Sequence, residues 1–457
     1  MNTSLQGAAN THRALAVVGC IGAALLLNAC GGGGGGGDNG PGSKDLALVI
    51  GNSLPLSGIS RDLGSSGGKA SDLAVEQIKK AIEEVDADHT VRTVQEDQGS
   101  DAGSAVDSAK KLVNEQHASC LTGPWTPDAV LSTAKEIAVP SKVLEISPVG
   151  SSEDVAGLSD HDLVNSTALP DSEEGSALSQ AIETDLGGAQ GYTVNVAASN
   201  DSYGDTLTQD FIEAWQGEDG TVGGQVVLAP PPLSPSSSSG YSTTTTSSSS
   251  AYSQASQITS GSPDAILLID DAADFTQLAP ALSSSFGWSP DTAWGSDQLL
   301  SPGLPGQVGP ESTDGMRVLA PGRPRGEDPT TAFVRDFKAA DPHDVKLGPF
   351  AAQEFDATIL CYLAAVAAGS TDGQQMADEL IDITAPGGDE FTWQQLPDAI
   401  KALEDGKDID YTGASGPIDM DVHGDPTSGV YDIYQYASEQ LNVVGEVSIS
   451  KPNPATP

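Results

Sequence analysis

Two loops in the stretch from Thr122 to Ser152 hold the residues best suited to chemistry. They are Thr122-Gly123-Pro124-Trp125-Thr126-Pro127 and Ile146-Ser147-Pro148-Val149-Gly150-Ser151-Ser152, with a helix-like run from Asp128 to Ala138 between them. Both are rich in Gly, Pro and hydroxyl side chains, and both follow short strand-like segments. At the carboxyl ends of parallel strands, loops of this kind turn backbone N–H groups and hydroxyls toward a small anionic group. Neither loop carries Lys or Arg, so a bound carboxylate would be held by dipoles and not by a cation. The hydroxyls of Thr126 and Ser151 suit a helix cap or a turn equally well, and Trp125 suits plain packing as readily as stacking on a ligand.

Residue patterns for bond-breaking chemistry are incomplete. Gly64-Ser65-Ser66-Gly67-Gly68-Lys69-Ala70 has the outline of a phosphate loop, but Ala70 replaces the hydroxyl residue and Leu63 the first Gly. Asp419-Met420-Asp421-Val422-His423-Gly424 begins like a calcium loop, yet Val430 stands where the bidentate Glu belongs. His89, His117, His161, His343 and His423 are scattered without ligand spacing. No catalysis, no metal and no cofactor is expected.

The chain of 457 residues has 64 acids against 20 bases, a formal charge of −44. That charge repels phosphates, which excludes nucleic acid as a partner, and it excludes attachment to anionic lipid through a basic patch. It fits a solvated acidic surface in a salty exterior, where repulsion is screened. A hydrophobic content of 38% is that of a globular protein, and the length suits two domains. At the N-terminus His12 and Arg13 precede an apolar run from Ala14 to Leu27, too short for a lone membrane span. The segment ends Leu27-Asn28-Ala29-Cys30, which resembles the lipobox of bacterial lipoproteins and implies a signal peptide over residues 1–30 with Cys30 lipidated. Residues 31–44 are Gly-rich and read as a tether. Cys120 and Cys361 remain; in an exported protein they suit a disulfide or two buried thiols, and the bridge is the preferred expectation.

The elements that must position the two loops alternate. Asp45–Leu56 and Thr90–Val94 read as strands. The helix between them places Ala70, Leu73, Ala74, Ile78, Ala81, Ile82 and Val85 on one face, and Ala102–Glu115 follows as a helix with Asp101 as cap. After Val164 the rhythm restarts with helices over Ser176–Leu186, Asp205–Trp215, Ala251–Ser260 and Phe275–Phe286, and strands at Thr193–Ala197, Gln225–Leu228, Ala265–Ile269, Thr292–Gly295 and Met316–Leu319. Such alternation predicts an α/β fold with parallel sheets covered on both faces. Pro230–Ser250 is a Pro/Ser/Thr tract expected as a disordered insertion. Helices over Thr330–Ala339 and Ala351–Ala368 precede late strands over Gly413–Met420 and Val430–Tyr436.

From about Leu46 to Val444 the sequence resembles the substrate-binding proteins of ABC importers, of the Leu/Ile/Val-binding type. The resemblance rests on Leu54-Pro55-Leu56-Ser57-Gly58, on Gly68 with Leu73-Ala74-Val75 and Ile78, on Ala109-Lys110-Lys111-Leu112-Val113 and on Ile146-Ser147-Pro148. It continues through Asp201 with Tyr203-Gly204 and through Gly416-Pro417-Ile418 with Gly424-Asp425. It implies two Rossmann-like lobes joined by three crossings, near Thr167–Ala168, Pro321 and Ile418, that close on a ligand. The implied lobes are 45–168 plus 322–418 and 169–321 plus 419–457. The ligand's carboxylate would meet Thr126, Val149 and Ser151; its ammonium would meet the Val149 carbonyl, Ser151 and Asp297. Asp171 and Tyr203 complete the implied set, with Trp125 and Asp271 as further candidates.

Three departures bear on the solute. Leu63 stands where an aromatic is common, Trp125-Thr126-Pro127 replaces paired hydroxyls, and Asp270-Asp271 follows a strand usually ended by Gly and an aromatic. The two acids read either as solvated loop residues or as groups calling for extra cationic or hydrogen-donating groups on the ligand. The implied function is a monomeric, exported, lipid-anchored protein that delivers an amino acid, branched-chain or related, or a similar small polar solute to ABC permease subunits. The alternatives are a tethered ligand-sensing receptor on the same fold and a binder of urea or short amides.

Overall fold

The computed structural model describes residues 45–99, 101–150, 152–228, 246–285, 287–326, 328–340 and 345–451, apart from the side chains at 153 and 246–249. The signal-like segment, Cys30 and the tether lie outside the described residues, as do Ser151, His343 and most of the Ser/Thr tract.

The expected α/β architecture is present as two sheets. The first comprises β1 (Leu46–Leu54), β2 (His89–Asp97), β3 (Cys120–Thr122), β4 (Leu144–Ser147) and β5 (Val164–Ser166), in the order β2-β1-β3-β4-β5 and parallel throughout. The second contains β6 (Thr193–Ala198), β7 (Thr221–Val227), β8 (Ala265–Ile269), β9 (Ala293–Gly295) and β10 (Arg317–Pro321), all parallel. A small parallel pair, β11 (Asp389–Thr392) and β12 (Ile409–Thr412), lies between these and the last strands in sequence. Then β13 (Ser428–Ala437) and β14 (Gln440–Ser450) add an antiparallel edge to the second sheet, whose order is β14-β13-β10-β9-β8-β6-β7. The chain therefore passes between the sheets after β5, after β10 and again before β13.

Burial explains these assignments. Every residue of β8 (AILLI) is buried, as a strand covered by helices on both faces requires, whereas β14 is exposed along most of its length, as an edge strand is. The helix Arg61–Val85 buries Ala70, Leu73, Ala74, Ile78, Ala81 and Ile82 against the first sheet, packs Leu63 with Leu54 and Trp125, and stops at Asp86, which takes the left-handed conformation. The helix Ala351–Ala368 is buried almost all round at the centre of the first lobe. Its Cys361 is joined to Cys120 on β3 by a disulfide with Cα atoms 6.0 Å apart, across 241 residues of sequence.

Two expectations about elements are corrected. Residues 413–420 do not form a strand; they make only isolated bridges, and the late hairpin is β13 with β14 around Ser438-Glu439. The reason is the buried Asp356 carboxylate, which accepts the N–H groups of Ala414 (2.8 Å) and Ser415 (2.7 Å), the Ser415 hydroxyl (2.6 Å) and the Tyr411 hydroxyl (3.0 Å). Backbone donors bound to a side chain are not free for a ladder. Second, a helix occupies Thr246–Ile258, so the end of the Ser/Thr tract is helical and not part of a disordered insertion.

Candidate functional site

The carboxyl ends of β3 and β4 in the first lobe, and of β6, β8 and β9 in the second, each run into a loop that carries candidate residues. After β3, Gly123 sits at φ 79°, and a Cβ there would lie 2.3 Å from the Ser53 carbonyl oxygen, so only glycine lets the chain turn. After β4 the loop is stitched to its neighbours. Ser147 Oγ donates to the Pro124 carbonyl at 2.8 Å, the Val149 N–H donates to Ser147 Oγ at 3.2 Å, and Ser166 Oγ donates to the Val149 carbonyl at 2.6 Å. The Val149 carbonyl keeps a second lone pair. A Cβ on Gly150 would meet the Leu169 carbonyl at 2.4 Å and Asp171 Oδ1 at 2.9 Å, so glycine brings this first-lobe loop against the start of the second lobe.

There, buried acids gather around one phenol. Asp171 and Glu174 occupy the first turn of the helix Asp171–Leu186, three residues apart and so on neighbouring positions of one face. Tyr203 lies in the first turn of the helix Ser202–Gly217, which Asp201 caps by accepting the Gly204 N–H at 2.8 Å. Asp297 begins a short turn just after β9. Tyr203 Oη lies 2.8 Å from Asp297 Oδ1 and 3.2 Å from Glu174 Oε2, while the Asp297 N–H donates to Glu174 Oε1 at 2.7 Å. Asp171, Glu174, Tyr203 and Asp297 are all buried, and Asp171 Oδ2 has no hydrogen-bond partner among the described residues.

Burial without a counter-ion pushes these carboxyl groups toward their neutral forms. Asp297 is raised to about 6 by loss of water, against the opposing pull of the Tyr203 hydroxyl. Glu174 is raised well above the usual carboxylate range by burial and by the charges of Asp297 and Asp171. Asp171 is raised likewise by burial, Asp297 and Asp425.

The other candidates stand apart from this group. Asp271 caps the helix Ala272–Ser283, accepting the N–H groups of Ala273 (2.7 Å) and Asp274 (2.8 Å). Beside it, burial and the Asp271 and Asp274 charges raise Asp270 to about 8. Trp125 is buried, with its ring against Gly67 and edge-on to Phe350 at 5.8 Å between centroids. Thr126 is exposed at the head of the helix Pro127–Thr133, and its hydroxyl makes no capping bond. Ser151 lies outside the described residues.

The lobes touch one another at several points. Ser301 Oγ of the second donates to the Ile59 carbonyl of the first at 2.9 Å, and one apolar cluster joins Leu54, Trp125 and Val149 to Leu299, Leu300 and Leu304. Asp128 of the first lobe is raised by burial and by the charges of Asp201 and Asp154, so the two lobes bring like charges together at the rim.

Two participants escaped the sequence reading. Glu174 was discoverable as an acid one turn beyond Asp171. Phe350 carries a positive φ of 60° just before the helix Ala351–Ala368, a backbone state that no residue pattern announces.

A family model described as periplasmic binding protein matches residues 47–435. The chain is 24% identical over 416 residues to the chemotactic signal transduction system substrate-binding protein BasB of Halobacterium salinarum, covering 87% of this chain and 88% of that protein. Among solved structures, the leucine-binding protein LivK of Thermotoga maritima superposes with a TM-score of 0.63 at 19% identity, over 88% of this chain and 99% of that one. A solute-binding protein of an ABC transporter from R. palustris, in complex with benzoate, gives 0.60 at 19% identity, over 89% and 98%.

Proposed function

The chain belongs to the periplasmic binding protein family, and from that premise we propose that it is an extracytoplasmic solute-binding protein whose two lobes close on an amino acid or similar small polar solute. The family is one of solute-binding and receptor proteins, not of enzymes, and it implies a location outside the cytoplasm. The observation that carries the proposal is the buried group of Asp171, Tyr203 and Asp297, held against the Val149–Gly150 loop of the opposite lobe. A carboxylate in a site shielded from water forms a strong charge-assisted bond with an ammonium group. Delivery to an ABC permease, monomeric action and a lipid anchor at Cys30 form the finer part of the proposal.

Thermal denaturation of the full chain against a panel of amino acids, short amides and urea tests it, because a ligand that binds only the folded state must raise the melting temperature. A rise with one class of solute is the expected result, and no rise with any of them overturns the proposal. Membrane partitioning that is lost on Cys30→Ala is the expected result for the anchor.

The relationship to a chemotactic protein favours a second reading, in which the closed form is read by a signalling partner. Ligand-dependent capture of a permease in detergent supports transport, and capture of a transducer supports sensing.

A further inference from the structure

One hydroxyl cannot donate to two carboxylates at once. Tyr203 has a single O–H and stands within hydrogen-bond reach of both Asp297 Oδ1 and Glu174 Oε2. Both contacts are satisfied if one acid keeps its proton and donates it to Tyr203 Oη while Tyr203 donates onward to the other; Glu174, which burial and the Asp297 and Asp171 charges hold further above the usual carboxylate range than Asp297, is the one that keeps it. Glu174 Oε1 is at the same time the acceptor of the Asp297 N–H, which agrees with a proton on Oε2. The relay leaves Asp297 as the ionised member, and it makes Glu174 a neutral group that orients Tyr203 and Asp297.

Asp171 lies outside this relay. It is buried to 4% exposure, its Oδ1 faces Gly150 of the opposite lobe, and its Oδ2 meets no donor among the described residues. A buried acceptor left without a donor is destabilising, and a donor on the solute relieves it. The charges that act on Asp171 are those of Asp297 and Asp425, and those that act on Glu174 are Asp297 and Asp171, with no lysine, arginine or histidine among them. Lys451, on the adjoining strand, is engaged with Glu173. The group thus holds two acceptors, Asp297 and Asp171, and no cation of its own among the described residues.

We propose that the cleft selects a solute carrying two cationic nitrogen groups, one seated on Asp297 and the second on Asp171, with Glu174 as the neutral positioning residue between them. The proposal rests on the cleft being the solute site. A diamino acid and a short diamine share this chemistry. The diamino acid also has a carboxylate for the dipoles of the first-lobe loops, and the diamine has none.

The test is calorimetric titration of the full chain with L-lysine, L-arginine, 1,4-diaminobutane and L-leucine. At least one two-nitrogen solute is expected to bind about tenfold or more tighter than leucine. Lysine or arginine bound tighter than diaminobutane identifies the diamino acid; the reverse order identifies the diamine. Asp171→Asn is expected to erase the preference by weakening the two-nitrogen solute about tenfold more than it weakens leucine. Glu174→Gln keeps a donor toward Tyr203 and is expected to retain the preference, whereas Glu174→Ala is expected to lose affinity for every ligand. Leucine bound as tightly as the two-nitrogen solutes overturns this proposal and leaves the solute-binding reading standing. Failure of all four ligands, with the wider panel also silent, overturns that reading and this proposal with it. Circular dichroism and melting of each variant separate loss of binding from loss of fold.

Discussion

Tyr203 and Asp297 come from different elements of the second lobe, 94 residues apart in sequence, and their side chains meet at 2.8 Å in a buried site. The contact places an ionisable acid behind a fixed hydroxyl donor, and Asp171, whose charge bears on the same group, is the member that meets Gly150 of the first lobe. An acid so held would not need to reorganise for an entering ammonium group, and preorganisation of this kind turns contact into affinity.

Asp297→Ala is expected to weaken an aminated ligand by more than about tenfold, since it removes a charge-assisted bond in a site shielded from water. Tyr203→Phe is expected to produce a smaller loss, because the acid stays and only its donor goes. Calorimetry on both variants checks the order; equal affinity for Asp297→Ala and the parent removes Asp297 from the site.

Affinity should depend on pH through Asp297. Its carboxyl is raised to about 6 in the unliganded cleft, and a bound cation favours the ionised form. For leucine, whose single ammonium needs only Asp297, no proton has to leave above that pH and one must below it, so leucine affinity is expected to fall by about tenfold per pH unit as the solution is acidified. Titrations at pH 7, 6 and 5 measure the slope, and it should vanish in Asp297→Asn.

Stability should move the opposite way with pH through Glu145. This β4 residue is wholly buried, accepts one bond from Thr133 Oγ1 at 2.9 Å, and is raised to about 8 by burial. The folded chain keeps that proton up to about pH 8, while the unfolded chain releases it near the ordinary glutamate value of 4.5. Between the two the folded state binds more protons, so stability falls as pH rises. Glu145→Gln is expected to flatten the decline by about 1.4 kcal/mol per pH unit over this window. Denaturant unfolding of both proteins at pH 5.5 and 7.5 checks it.

The Cys120–Cys361 bridge closes a loop of 241 residues between β3 and the central helix of the first lobe. Replacing both cysteines by alanine is expected to lower stability by about 2–4 kcal/mol, because the unfolded chain regains its freedom. Unfolding of the variant against the oxidised parent gives the difference. Two free sulfhydryls on mass spectrometry after non-reducing digestion would remove the bridge itself.

Closing the lobes also sets Asp128 beside Asp201 without an intervening cation. Added salt screens such repulsion. Ligand affinity is therefore expected to rise with ionic strength and to rise less steeply in Asp128→Asn, a pair of slopes that calorimetry at two salt concentrations measures.

The linear order of residues determined the alternation of strands and helices, since that rests on local periodicity: the apolar face of Arg61–Val85 and the continuous apolar run of β8 are visible within one window of sequence. It determined also that Gly- and hydroxyl-rich loops end the strands, because turn chemistry is local. Tertiary structure decided what each polar group does. Asp271 became a helix cap, Asp356 drew the 413–415 backbone away from a strand, and Glu174 joined Tyr203 across 29 residues and Asp297 across 123. The protonation of these acids was decided there too, because a carboxyl group's charge depends on the water and the neighbours that folding removes or supplies. Neither can be read from spacing, which records distance along the chain and not distance through space.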